Sequence, residues 1–382
     1  MMWKTVKLGD VCDLQNGFAF KSNLFKEDGL PILRISNIQE DIISLEKLVY
    51  FSENDYSIDF ERYKVHQNDL LIAMSGATTG KLGFNQSGKT LYLNQRVGKF
   101  LPHKTLNKKY LYYILSTKVE ENLNISRGAA QPNLSTKQIK DIEFFLPSLA
   151  EQESIVAKLD AAFAEIDEAI KNINLKESKL DKFKSAIISD SYRGSGWDNE
   201  RLGDCVSYEK NNAKGSSLPY VGMENIAPET MDLVGEVIIP EKTSNTFHFN
   251  KSHVLFGRLR PYLRKVLVPD FEGQCSTEIF CIKPKDKVIR EFLAYWLLEQ
   301  SISSKIEATS TGARMPRANM NALLEFDFPI PSIKEQKKII SKIDLTFTKI
   351  SEAKNTLAKS KTNYFSLKSA ILSQELQPSE AA

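Results

Sequence analysis

One stretch of this chain is written twice. PSLAEQESIVAKLDAAFAEIDEAI at 147–170 returns as PSIKEQKKIISKIDLTFTKISEAK at 331–354, a shift of 184 residues. The matches include Pro147/Pro331, Ser148/Ser332, Glu151/Glu335, Gln152/Gln336, Ile155/Ile339, Asp160/Asp344 and Phe163/Phe347. The register holds downstream, where Lys184-Ser185-Ala186-Ile187 meets Lys368-Ser369-Ala370-Ile371. An internal repeat constrains architecture before any local reading does. Two copies are too few for a solenoid, so the chain is a duplicated module. Such a module suits a twofold partner or a target with two halves.

The repeated unit predicts a long helix. Leu159, Ile166, Ile173, Leu180 and Ile187 are spaced by seven, and so are Ile343, Ile350, Leu357, Tyr364 and Ile371 in the second copy. A sustained seven-residue apolar stripe marks helices that supercoil around a partner. Ser148 and Ser332 stand where N-caps belong, with Glu151 and Glu335 three residues on, the sequence of a capping box. No glycine or proline interrupts either segment before Gly194 or Pro378. Each helix can therefore run ~40 residues, roughly 60 Å. Two packings compete, one onto the helix's own globular domain and one between the helices. The strict spacing favours antiparallel pairing of the two.

The segments between the helices align more loosely. Leu8-Gly9-Asp10 matches Leu202-Gly203-Asp204, Asn37-Ile38 matches Asn225-Ile226, and Arg127-Gly128-Ala129 matches Thr311-Gly312-Ala313. What lies between these anchors differs almost completely. Short apolar runs at 69–74, 89–93 and 98–102 predict strands, with counterparts at 253–257, 265–269 and 278–284. Residues 108–123 and 289–307 have helical periodicity. The fold class is thus α+β, two tandem domains each followed by a long helix. The boundaries are 1–147 for the first domain, 148–193 for its helix, 194–331 for the second domain and 332–382 for the last helix. The Gly/Ser-rich stretch 191–200 links the halves.

Charge separates function classes. A net charge of +3 is nearly neutral, so any nucleic-acid surface must come from local clustering. Leu70–Val119 and Lys242–Pro269 contain no acidic residue and many lysines and arginines. Phosphate binding needs such clusters, and asparagine, glutamine and arginine side chains suit base edges. The candidate DNA-binding residues are Lys81, Lys89, Asn94, Arg96, Arg127, Gln131 and Asn133 in the first domain. In the second they are Arg258, Arg260, Arg264, Lys265, Arg314 and Arg317.

Catalytic patterns fail when tested. SGATTGKL at 75–82 has three residues between its glycines where a phosphate loop needs four, and Leu82 replaces the metal-binding hydroxyl. Asp270 and Glu278 only faintly suggest a nuclease carboxylate set, with Phe280 where a lysine would be wanted. The cysteines Cys12, Cys205, Cys275 and Cys281 lack zinc-site spacing and fit free thiols in a reducing cytosol. No apolar leader and no spanning segment appear, so a cytoplasmic, non-catalytic protein is expected, with no metal or cofactor of its own.

Two variable α+β domains, each closed by a P-S-x-x-E-Q-x-x-I helix, resemble the specificity subunit of type I restriction-modification systems. The resemblance spans the chain and is carried most specifically by Pro147–Ala169 and Pro331–Ala353. It implies that each domain is a target recognition domain reading one half of a split, asymmetric double-stranded DNA site. It also implies that the helices set the spacer and dock modification (methyltransferase) subunits, two per chain. Those partners would carry S-adenosylmethionine, motor-nuclease restriction subunits would join them, and ATP and magnesium too would belong to partner subunits. Two other classes stand beside it: a coiled-coil adaptor whose end domains bind proteins, and an enzyme with an unrecognised site. Salt-sensitive DNA binding separates the first from the DNA reading.

Overall fold

The structure, a computed structural model, describes residues 3–39, 41–126, 133–194, 196–241, 245–312 and 314–378. The chain divides into two compact units, residues 1–171 with 361–382, and residues 172–360. Each unit holds one globular domain and a segment of both long helices.

In the first unit, β1 (Lys4–Lys7) leads into α1 (Leu8–Val11) and β2 (Cys12–Asn16). Then follow β3 (Leu30–Leu33), β4 (Asp41–Ile42), β5 (Val49–Phe51), β6 (Lys64–Val65), β7 (Leu70–Ala73), β8 (Leu82–Phe84), β9 (Leu91–Leu93) and β10 (Val97–Pro102). Helices α2 (Lys108–Ser126) and α3 (Thr136–Lys140), then β11 (Glu143–Leu146), complete the domain before α4 (Leu149–Ser191). One sheet has the order β2-β10-β7-β8-β4, a second β5-β3-β9-β6, and β1 pairs antiparallel with β11. Strand β7 is buried throughout because its alternating side chains serve two cores. Leu70 and Ile72 enter the cluster with α2 and α4, and Leu71 and Ala73 the cluster with Leu33 and Leu93.

The second unit repeats the plan with fewer strands. It has β12 (Asp198–Arg201), α5 (Leu202–Cys205), β13 (Val206–Glu209), β14 (Tyr220–Val221), β15 (Thr246–Phe249), β16 (Val254–Gly257), β17 (Val266–Leu267), β18 (Gly273–Ser276) and β19 (Ile279–Pro284). Then come α6 (Arg290–Leu297), α7 (Gln300–Ala308), α8 (Met320–Leu324), β20 (Asp327–Ile330) and α9 (Ile333–Glu375). The sheets run β13-β19-β16-β17 and β14-β18-β15, with β12 on β20. Val254 and Phe256 of β16 face one core and Leu255 the other. Cys275 and Cys281 bring their sulfurs to 3.4 Å in this interior, and all four cysteines of the chain, with Cys12 in the first unit, are free and buried.

The single helix expected over 289–307 is two. Glu299 breaks it, accepting from the Ile302 amide at 3.0 Å and capping α7. Ser189 of α4 donates to the same carboxylate at 2.5 Å.

The repeated residues hold each long helix to its domain. Gln152 is fully buried, donating to Thr105 O at 3.0 Å and Pro147 O at 2.9 Å, and accepting from Asn107 N at 2.8 Å. Gln336 makes the same three bonds, to Lys287 O, Pro331 O and Ile289 N, at 2.8, 3.0 and 2.8 Å. Tyr113 donates to Asp160 at 2.6 Å and stacks edge-on with Phe163; Tyr295 donates to Asp344 and stacks edge-on with Phe347. Ser148 and Glu151 form the full capping box, and the Ser332 hydroxyl accepts from Glu335 N.

The same helices pair within each unit. In the first, Lys158 meets Glu375 at 3.4 Å and Asp167 meets Lys368 at 3.0 Å. In the second, Asp181 meets Lys354 and Asp190 meets Lys342 at 3.5 Å. One number rises as the other falls, so the pairing is antiparallel. Leu159, Ile166, Ile173, Ile343 and Ile350 are buried, and Leu180, Ile187, Leu357, Tyr364 and Ile371 half-buried. Each fully buried Leu or Ile stabilises by roughly 1.5–3 kcal/mol. An exposed ion pair contributes about 0–1, so the apolar stripe provides the stability and the charges set register. Both packings weighed from the sequence hold at once: Ile155, Val156 and Phe163 join the first domain's core, while Tyr364 and Ile371 pack against the same cluster.

Candidate nucleic-acid interface

Three chain segments meet at one end of the central sheet in each domain. In the first, Met74 N donates to Arg96 O at 2.9 Å and Leu134 N donates to Met74 O at 2.9 Å. Ser75 bridges Asn133 antiparallel. In the second, Arg258 N donates to Glu278 O at 2.8 Å and Ala318 N to Arg258 O at 2.9 Å, while Leu259 bridges Arg317 antiparallel. Met74, Ser75, Asn133 and Leu134 become Arg258, Leu259, Arg317 and Ala318 under the same 184-residue shift found in the helices. The junction is therefore one backbone frame carrying two different sets of side chains.

The loop that follows β7 or β16 shares the frame. Ala73 N donates to Lys81 O at 2.9 Å, and Gly257 N to Lys265 O at 2.8 Å. Between them lies a 3-10 turn, Gly76–Thr78 in one domain and Pro261–Leu263 in the other. Thr78 ties the first of these turns to Ile35 O at 3.1 Å. Left-handed backbone opens the turn at Gly76 (φ 79°) and returns two residues past it at Gly80 (φ 86°) in the first domain. The second places Arg260 (φ 52°) and Arg264 (φ 45°) at these positions. A side chain there costs about 1–2 kcal/mol that glycine does not incur.

Sequence-predicted residues distribute unevenly over this frame. Arg96 and Asn133 are exposed at the first junction, with Asn94 and Lys81 half-buried beside it in sequence. Lys89 is exposed but precedes β9, at the opposite end of that strand from Asn94. Arg127 and Gln131 lie outside the described residues. In the second domain Arg260 and Arg314 are exposed, and Arg258 and Arg317 half-buried. Arg258 lies 6.0 Å over the Phe280 ring. Arg317 donates through Nε to both oxygens of Glu278, at 3.0 and 3.1 Å.

Arg264 is a correction. It is buried, and its guanidinium donates to Leu298 O at 3.1 Å and to Glu229 at 2.5 Å. It satisfies the broken end of α6 rather than facing a ligand. Lys265 is also drawn inward, donating to Met223 O at 2.6 Å. Folding changes the basic stretch of the first domain too. Lys99 is buried and donates to Lys64 O at 2.6 Å, and burial pushes its ammonium below its ordinary pKa. Lys108 lies 3.6 Å from Asp69 and Lys109 2.6 Å from Asp160. An acid-free stretch of sequence is not acid-free in space, because carboxylates from other segments pack against it. His253 is likewise buried, 3.1 Å from Glu209. Among the described residues, the side chains of Lys81, Arg96, Arg260 and Arg314 meet no hydrogen-bond or ion-pair partner, and neither do those of Lys89, Lys104 and Lys251 in the acid-free stretches.

Two domains with matching backbone frames and unlike side chains define a duplicated protein built from two variable domains. The family model for the type I restriction modification DNA specificity domain matches twice, over residues 2–176 and 195–360, and the chain belongs to this family. It is 22% identical over 410 residues to the type I restriction enzyme StySPI specificity subunit of Salmonella potsdam, covering 97% of this chain and 88% of that protein. It is 22% identical to the EcoDI specificity subunit of Escherichia coli, covering 90% and 81%. The HsdS subunit from Thermoanaerobacter tengcongensis superposes with a TM-score of 0.55 at 17% identity, over 98% of this chain and 96% of that one. A chain solved in a study of complex assembly and conformational transition of the type I R-M system reaches 0.71 at 17% identity, over 98% and 97%. Among the described residues no helix is long and apolar enough to cross a membrane.

Proposed function

We propose that each domain reads one half of a split, asymmetric site on double-stranded DNA through its three-segment junction. The observation that carries this reading is the shared hydrogen-bond frame at Met74 and Arg258, filled differently in each domain. A protein that reads two sequences from one scaffold needs a constant backbone and variable side chains. Cations at the junction hold phosphates, and arginine, asparagine and glutamine side chains read base edges.

The paired helices set the number of unread base pairs between the halves and dock modification subunits, two per chain. The chain itself is non-catalytic. S-adenosylmethionine, ATP and magnesium act on the partner subunits, and restriction subunits join through the assembled complex, all in the cytoplasm. The relatives' names as specificity subunits support this assembly.

Co-expression with the candidate modification subunit in a methylation-free host, followed by single-molecule mapping of methylated bases, tests the proposal. A two-part motif with methyladenine in both halves, absent without this chain, is expected. A stable complex that methylates nothing would favour the adaptor reading. Four residues inserted after Lys171 lengthen a helix by about 6 Å. The spacer should then grow by about two base pairs at ~3.4 Å per step. A mutant that keeps the original spacer would overturn the ruler.

A further inference from the structure

Two arginines of the second domain occupy the left-handed positions that the first domain gives to glycine. Arg264, at the place of Gly80, is accounted for by its buried bonds to Leu298 O and Glu229. Arg260, at the place of Gly76, has no such compensation. It is exposed, its backbone amide donates to Pro316 O at 2.8 Å, and its guanidinium meets no partner among the described residues. Gly76 shows what the fold alone asks for here: its φ is 79°, and a Cβ would sit 3.1 Å from Ile35 Cδ1. Unfavourable backbone that no internal contact offsets points to a role outside the fold.

The surroundings suit a base edge. Arg260 pairs its backbone with Pro316, two residues after the exposed Arg314, and stands two residues before Tyr262, which is 47% exposed. Among the described residues Glu229, which packs on the same turn, is engaged by Arg264, and Glu278 is engaged by Arg317. Those pairs leave Arg260 uncancelled and hold the neighbouring guanidinium groups in place. We propose that Arg260 is a specificity-determining residue of the second domain, delivering its guanidinium fork to the O6 and N7 acceptors of a guanine in the major groove. The inference rests on the DNA-recognition reading above.

The test uses the full chain co-expressed with its modification subunit, as wild type, Arg260→Gly and Arg260→Lys. Three readouts are needed: unfolding temperature, methylated motif, and DNA affinity against salt. Arg260→Gly should unfold no lower than wild type, because glycine suits the backbone there. It should lower modification of the cognate site by about 10- to 100-fold and relax one base pair of one half-site only. Arg260→Lys should keep the salt dependence yet relax the same base pair. A glycine variant that modifies the wild-type motif at the wild-type rate would overturn the proposal. So would a uniform loss over all sequences with a salt slope reduced by about one, which marks a phosphate contact. A lowered unfolding temperature would assign the side chain to the fold and overturn it as well. If the wild-type complex itself modifies no split site, the DNA-recognition reading fails first and the proposal with it.

Discussion

The side-chain amide nitrogen of Gln336 lies 3.0 Å from the carbonyl oxygen of Pro331, five residues earlier, and Gln152 repeats the bond to Pro147 at 2.9 Å. Each glutamine also closes two bonds to the segment that leads into the domain's own helix. Replacing Gln336 by Leu strands one amide and two carbonyl groups in a buried place. Leaving buried backbone groups unpaired costs about 1–3 kcal/mol each, less what relaxation recovers. Gln336→Leu should therefore lose roughly 2–4 kcal/mol in urea unfolding. A loss below about 1 kcal/mol would show that the clamp is dispensable.

Arg264 and Arg96 should behave in opposite ways. Arg264→Ala removes the partner of Leu298 O and of Glu229. It should lower stability by about 2 kcal/mol or more while leaving the methylated motif unchanged at a permissive temperature. The calorimetric unfolding temperature and the motif map check the two halves of that statement.

Arg96 stands exposed at the junction, whereas Lys89 stands exposed at the far end of β9. Arg96→Ala should weaken DNA binding and flatten its salt dependence, with stability within about 0.5 kcal/mol of wild type. Lys89→Ala should change neither. Equal losses from both would mean that the whole domain surface, and not the junction, contacts DNA.

Glu299 predicts an acid response. Burial tends to raise its pKa, but bonds from Ser189, Ser301 and the Ile302 amide together hold it below the ordinary glutamate value. A pKa lower in the folded state adds stability above the unfolded value, near 4.3, and that stability is lost as pH falls through the folded value. The second unit should thus lose stability below about pH 4, and Glu299→Gln should flatten that fall. Thermal unfolding at pH 3.5 and 7 compares them. Parallel losses in variant and wild type would remove Glu299 from the account.

The repeat was legible because its residues do the same local work twice. Seven-residue spacing, the capping serines and the absence of helix breakers are written in one dimension, so both 43-residue helices could be read directly. The buried strands at 70–73 and 254–257 were legible for the same reason. The break between α6 and α7 was not, because a glutamate cap and a guanidinium from a distant loop impose it on a helical pattern.

Sequence alone determined the duplication, the helix lengths and the α+β character of both domains, since these follow from local periodicity and self-similarity. Tertiary structure decided which cations are free. Lys99, Arg264 and Arg317 look like their neighbours in sequence, yet carbonyl and carboxylate groups from other segments engage them. It also decided which loops meet. The Met74 and Arg258 junctions join segments far apart in the chain, and only long-range backbone hydrogen bonds bring those segments to one place.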